Sequence, residues 1–207
     1  MAWILALGFL SQALFGVRMV VQVVHTERAG KVASPTIYWQ ISLLGSFLFL
    51  IYGILRDDVV IILGQTLSYF IYIRNIQLKN EWKKIPLLLR VFLFTLPLGI
   101  LGWISLGIDN RLSTILGNND FADPILFIGA TGQLLHNLRF IYQWYYSERV
   151  KASVLPIGFW LISAVASVMI LVYAFDRPDP VLLGAQSFGI LAYLRNIFVY
   201  YRSQKKI

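Results

Sequence analysis

The chain has 207 residues, 58% of them hydrophobic and only 14% charged, with a mean hydropathy of +0.69. A soluble domain of this size carries about a quarter charged residues, so a soluble globular fold is excluded. The absence of cysteine removes disulfide and thiol chemistry, and the net charge of +8 follows from membrane topology rather than from a nucleic-acid surface.

Seven apolar stretches are predicted in chain order, at about 3–24, 37–55, 59–78, 86–107, 125–146, 157–175 and 181–201. Each is about 18–22 residues long, enough to cross a hydrocarbon layer of about 30 Å. The first lacks a basic leader and a small-x-small cleavage site, so it is read as a mature helix. Short connectors at 55–58 and 176–180 read as tight turns, the second fixed by Pro178 and Pro180. Segment 107–124, with Gly107, Asp109, Asn110, Gly117, Asn118, Asn119 and Asp120, reads as an external loop.

If the spans alternate, eleven basic residues fall on one side: Arg28, Lys31, Lys79, Lys83, Lys84, Arg90, Arg149, Lys151, Arg202, Lys205 and Lys206. The other side receives Arg56, Arg111 and Arg177 together with seven aspartates. The positive-inside rule then places the N-terminus outside and the C-terminus in the cytoplasm.

Residues 12–75 recur at 133–196 with a constant offset of 121 and no gap. The repeated residues are largely polar: Gln12 and Gln133, Arg18 and Arg139, Gln22 and Gln143, Ser42 and Ser163, Gln65 and Gln186, Tyr72 and Tyr193, Arg74 and Arg195, Asn75 and Asn196. The sequence therefore predicts an all-α integral membrane protein of two parallel three-helix repeats joined by a linker helix. Residues 1–80 form the first repeat, 81–124 the linker helix and external loop, and 125–207 the second repeat. A duplication of this kind places a site at the repeat interface.

Arg18, Arg74, Arg139 and Arg195 fall inside these stretches, and none of the ten acidic residues does. Each buried arginine costs roughly 2.5–3.5 kcal/mol on insertion scales, so an anionic ligand is the expected neutralising partner. Guanidinium geometry suits phosphate. The candidate binding residues are Arg18, Gln22, Arg139, Gln143, Arg74, Asn75, Arg195, Asn196, Gln12, Gln133, Gln65, Gln186, Tyr72 and Tyr193. The competing readings are structural. Arg74 and Arg195 lie near helix ends and can snorkel, the amides can tie neighbouring helices together, and Trp39 and Trp160 read as interface anchors. The repeated serines read as small residues that allow close helix approach.

The doubled Gln-x5-Arg-x3-Gln, Pro-x3-Trp (Pro35-Trp39 and Pro156-Trp160) and Tyr-x-Arg-Asn patterns resemble the lipid A biosynthesis N-terminal domain family of small membrane proteins. The three-one-three layout resembles the wider SWEET and PQ-loop transporter superfamily. It departs from the sugar-transporting branch, because Thr36 or Ile157 follows the proline and mid-span prolines are absent from the remaining helices of each half. The resemblance implies a bacterial inner-membrane protein linked to lipid A or related envelope glycolipids.

The expected function is a transporter or flippase for a phosphate-bearing lipid-linked intermediate, such as a polyprenyl-phosphate sugar. The alternative is a membrane partner that presents lipid substrate to a separate glycosyltransferase, and small-sugar transport is a lesser third. No carboxylate pair, metal cluster, glycine-rich phosphate loop or activated nucleophile is legible. The expectation is therefore no enzyme, no cofactor and no metal.

Overall fold

In the computed structural model, residues 2–56, 59–105, 123–176 and 180–205 are described. They form seven α-helices: α1 (Ala2–Ala29), α2 (Thr36–Leu55), α3 (Val59–Leu78), α4 (Leu87–Ser105), α5 (Pro124–Val150), α6 (Ile157–Asp176) and α7 (Pro180–Gln204). A 3-10 turn at Trp82–Lys84 precedes α4, and no strand occurs among the described residues. The turn residues Asp57, Asp58, Pro178 and Asp179, the loop aspartates Asp109 and Asp120, and Arg111, Arg177 and Lys206 lie outside the described residues.

Three of the helices, Trp3–Ala29, Thr36–Leu55 and Ile157–Asp176, are long and apolar enough to cross a membrane. Seven such helices were expected from the sequence, and these three are the ones found among the described residues. Helix α3 carries Gln65, Arg74, Asn75 and Gln77, and α5 carries Gln133, His136, Asn137, Arg139 and Gln143. Helix α7 carries Gln186, Arg195 and Asn196.

The helix ends follow local chemistry. At the start of α5, the Asp123 side chain accepts from the Ile125 amide at 2.9 Å, and Pro124 opens the first turn. Gly30 (φ +63°) and Lys151 (φ +51°) adopt the left-handed conformation just after α1 and at the end of α5, one repeat apart. Glycine suits that conformation without penalty, and lysine there is strained. Pro35 and Pro156 sit immediately before α2 and α6, where a missing amide proton removes no helical bond. The Pro156 carbonyl accepts the Phe159 amide at 3.0 Å.

The chain forms two compact units. The first comprises Met1–Arg18 with Thr36–Asn118, and the second Met19–Pro35 with Asn119–Ile207, so α1 contributes to both. In the first unit α2 packs on α3, and α3 on α4; in the second, α6 packs on both α5 and α7.

Within an apolar core, each unit buries a set of polar side chains and exposes many apolar ones. On α1, Ser11, Arg18, Gln22 and Thr26 are buried at intervals of seven, four and four residues, while Phe9, Leu10, Val17, Val20 and Val24 are exposed. On α6, Ser163, Ala166, Ser167 and Ile170 are buried and Val165, Val168 and Val172 exposed. A water-soluble bundle would reverse this arrangement, because exposed apolar patches of such extent mark an apolar surrounding.

Close helix approach depends on glycine at two repeat-related positions. A Cβ on Gly129 would lie 2.6 Å from Tyr173 Cγ, and one on Gly8 would lie 2.9 Å from the Tyr52 ring. Gly129→Ala should therefore cost about 1–3 kcal/mol through overpacking. Gly99→Ala, with nothing within 4 Å of the new atom, should be neutral or slightly stabilising. Thermal unfolding of the two purified variants checks this, and equal midpoints would contradict the packing.

Candidate functional site

Two buried arginine clusters, one in each unit, dominate the interior. In the first unit Arg18 is 7% exposed. Its Nη1 donates to Ser42 Oγ at 3.0 Å and to Tyr72 Oη at 2.9 Å. The guanidinium carbon lies 4.5 Å from the Phe15 ring centre and 5.6 Å from those of Tyr38 and Tyr72. In the second unit Arg139 is 3% exposed. Its Nη1 donates to Ser163 Oγ at 3.1 Å and to Tyr193 Oη at 2.9 Å. Its carbon lies 4.9, 5.2 and 5.5 Å from the rings of Phe140, Phe159 and Tyr193.

The local sequence explains the construction. A serine one turn after an aromatic residue donates back to the helix, Ser42 to the Tyr38 carbonyl at 2.6 Å and Ser163 to the Phe159 carbonyl at 2.5 Å. That bond occupies the serine proton and turns its lone pairs toward the guanidinium. These serines are therefore acceptors for a cation, and not merely small residues as the sequence suggested. Trp39 and Trp160 are fully buried and tilt against Tyr72 and Tyr193 at 6.0 and 6.1 Å. This corrects their reading as interface anchors; each closes one side of a cluster.

The glutamines do different work. Gln143 Nε2 donates to Ser147 Oγ and to the Val154 carbonyl, both at 2.8 Å, and Ser147 Oγ accepts the Val154 amide at 3.2 Å. Gln22 Nε2 donates to Thr26 Oγ1 at 2.9 Å and to the Ala33 carbonyl at 3.2 Å, while Thr26 accepts the Ala33 amide at 3.0 Å. Each glutamine thus ties its helix to the extended segment before Pro35 or Pro156. Thr26 and Ser147 are repeat partners, but the change of residue type hid them from the search for identical positions.

Gln22 also exchanges hydrogen bonds with Asn196, its Nε2 donating to Oδ1 at 2.7 Å and its Oε1 accepting from Nδ2 at 2.9 Å. Both side chains are fully buried. Nearby, Arg195 makes a two-point contact with Glu27, Nε to Oε1 and Nη2 to Oε2, the latter at 2.7 Å. The expectation that no carboxylate reaches these arginines is thereby corrected for Arg195. Helix α1 extends to Ala29, beyond the expected end of the span, and so brings Glu27 into helical register. Both partners are partly exposed, at 45% and 40%.

Of the other candidates, Arg74 donates to Gln77 Oε1 at 3.1 Å, and Asn75 to the Ile71 carbonyl at 2.9 Å. Ser46 donates to Gln65 Oε1 at 3.0 Å, and Ser167 to Gln186 Oε1 at 2.7 Å. These amides bridge α2 to α3 and α6 to α7. Gln12 and Gln133 are exposed. Tyr72 and Tyr193 therefore join the arginines directly, whereas Gln65, Gln186, Gln12 and Gln133 do not.

A family model described as Lipid A Biosynthesis N-terminal domain matches residues 7–77 and again 128–198. The chain belongs to this family. The two matched stretches are one repeat offset apart, and each carries one arginine cluster. Among similar proteins, the Lipid-A-disaccharide synthase of Chlamydia pneumoniae is 23% identical over 206 residues, covering 96% of this chain and 34% of that protein. That of Chlamydia muridarum is 27% identical over 208 residues, covering 94% and 34% respectively. The chain thus spans about a third of the length of these relatives. They carry the name of an enzyme, which overturns the expectation that the chain stands apart from enzymes. No solved structure matches.

Tyr193→Phe removes one of two acceptors of a buried cation and should cost about 1–3 kcal/mol. Gln133→Ala, at an exposed position, should stay within about 0.5 kcal/mol. Reversible unfolding in mixed micelles measures both, and a Tyr193→Phe variant as stable as the parent would contradict the hydroxyl's role.

Proposed function

We propose that this protein binds the phosphate of an anionic lipid-linked intermediate in lipid A biosynthesis or modification, and moves it across the bacterial inner membrane. A polyprenyl-phosphate sugar is the type of cargo. The observation that carries this reading is the state of Arg139. It is a cation 97% removed from solvent by the residue's 3% exposure, held among the described residues by two neutral hydroxyls and three rings. Hydroxyls and ring faces orient a guanidinium but leave its charge in place. A phosphate supplies the missing charge and the paired acceptors.

The architecture proposed with it has seven spans, the repeats at 1–80 and 125–207 parallel and joined by the linker helix at 81–124. The N-terminus is outside and the C-terminus cytoplasmic. The buried polar side chains and exposed apolar ones of the units support this reading, as does the one-sided distribution of basic residues. Relative motion of the repeats is the corresponding transport step.

One observation favours a second reading, in which the chain presents lipid substrate to a glycosyltransferase. In the chlamydial relatives the matching stretch is a third of a longer chain named Lipid-A-disaccharide synthase, so the same segment there is covalently joined to other sequence. The docking face in this case is the basic connector after α3, where Lys83 and Lys84 are exposed. Burial holds the neighbouring Lys79 ammonium below its usual range, opposed by the Glu81 carboxylate.

Arg139→Gln should weaken binding of a radiolabelled polyprenyl phosphate to the purified protein by at least about tenfold, the loss of one charge-assisted contact. The same variant should leave binding of the neutral polyprenol unchanged. Undiminished phosphate-lipid binding would refute the proposal. Movement of the lipid in proteoliposomes separates transport from presentation.

A further inference from the structure

Two buried donors in the second cluster have no acceptor among the described residues: Arg139 Nε and Trp160 Nε1. Trp160 as a whole is fully buried. Both side chains lie against the same ring. The Arg139 guanidinium carbon is 5.5 Å from the Tyr193 ring centre, and the Trp160 indole is 6.1 Å from it at an interplanar angle of 41°. Arg139 reaches its hydroxyl partners, Ser163 and Tyr193, through Nη1, so those bonds do nothing for Nε. Native structures nearly always satisfy a buried N–H. Two unsatisfied donors beside one ring, one of them on a cation, ask for the same thing: a compact group with several lone pairs and negative charge.

From this geometry we infer that Trp160 Nε1–H is a second ligand donor beside Arg139, and that the pair binds the free oxygens of a lipid phosphate ester. The inference rests on the phosphate-lipid reading above and adds a residue and a chemistry to it. An indole N–H only donates, so it accepts an oxyanion and rejects a cation or another donor. Its ring is fixed edge-on against Phe159 (4.9 Å, 88°), which leaves the donor preorganised. A phosphate ester presents more acceptor oxygens than a neutral alcohol does. The pair therefore discriminates a phosphorylated lipid from its free alcohol.

Farnesyl phosphate, farnesol and inorganic phosphate serve as probes of the full chain in nanodiscs of neutral lipid. The readouts are affinity and the indole ¹⁵N–H resonance of Trp160, assigned by its disappearance in Trp160→Phe. Because the smaller ring of that variant also loosens packing, a second variant carries benzothiophene in place of the Trp160 indole, which exchanges N–H for sulfur and keeps the shape. Farnesyl phosphate should shift the resonance downfield, and the benzothiophene variant should bind it about tenfold more weakly; farnesol should do neither. A downfield shift with inorganic phosphate as well supports a site that reads the oxyanion itself. A shift with farnesyl phosphate alone supports one that needs the lipid-borne group. If farnesyl phosphate binds in an Arg139-dependent manner while the resonance stays put and the benzothiophene variant binds equally, this inference falls and the phosphate-lipid reading survives. An equal shift with farnesol also overturns it. If farnesyl phosphate fails to bind the parent chain, both fall together.

Discussion

A guanidinium inside an apolar bundle constrains everything around it. It only donates, so the fold must surround it with acceptors and polarisable faces. Here that demand sets the choice of residues on three helices at once. Arginine comes from the first helix of each half, serine from the second and tyrosine from the third. Removing any one helix would leave the cation without its cradle. The clusters therefore position helices as much as they occupy the space between them. Polar side chains are accordingly drawn inward, and many apolar ones are left on the outside.

The two clusters also show which part of the cradle is specified. The serine and tyrosine acceptors recur at the same spacing from each arginine, 24 and 54 residues on. One ring of the three does not. Phe15 faces Arg18, but its repeat counterpart is His136; Phe140 faces Arg139, but its counterpart is Met19. Hydrogen bonds to a cation need an oxygen at a fixed distance and angle, whereas the face of a ring is useful over a broader range of placements. All the directional contacts are kept in place, whereas one of the three ring contacts has drifted. A second pattern repeats with similar strictness, in which a glutamine and a hydroxyl residue clamp the extended segment before each proline. That clamp sets where α2 and α6 begin, and hence where their serines lie.

Much of this was legible in the chain. The gapless repeat located both arginines and both tyrosines, and the long apolar stretches located all seven helices to within a few residues. The length of α1 was not legible, because Glu27 and Arg28 look like the end of a span although the helix continues to Ala29. The pairing of Arg195 with Glu27 was lost for that reason. The acceptor role of Ser42 and Ser163 was hidden because serine is equally at home as a small packing residue. Only the back-bond to the preceding turn distinguishes the two roles. Thr26 and Ser147 escaped because a search for identical residues does not credit a shared hydroxyl. The tryptophans misled by position: a tryptophan near the start of a helix suggests a membrane interface, but Trp39 and Trp160 turn inward against the tyrosines.

The central claim is the proposal that buried Arg139 holds its charge for the phosphate of a bound lipid. Native mass spectrometry of protein extracted gently from its own membrane addresses that claim most directly. The account predicts a retained adduct whose mass and fragmentation identify a phosphorus-containing lipid, lost when Arg139 and Arg18 are replaced together. A chain that flies bare under conditions preserving its fold, or an adduct indifferent to both arginines, would contradict it.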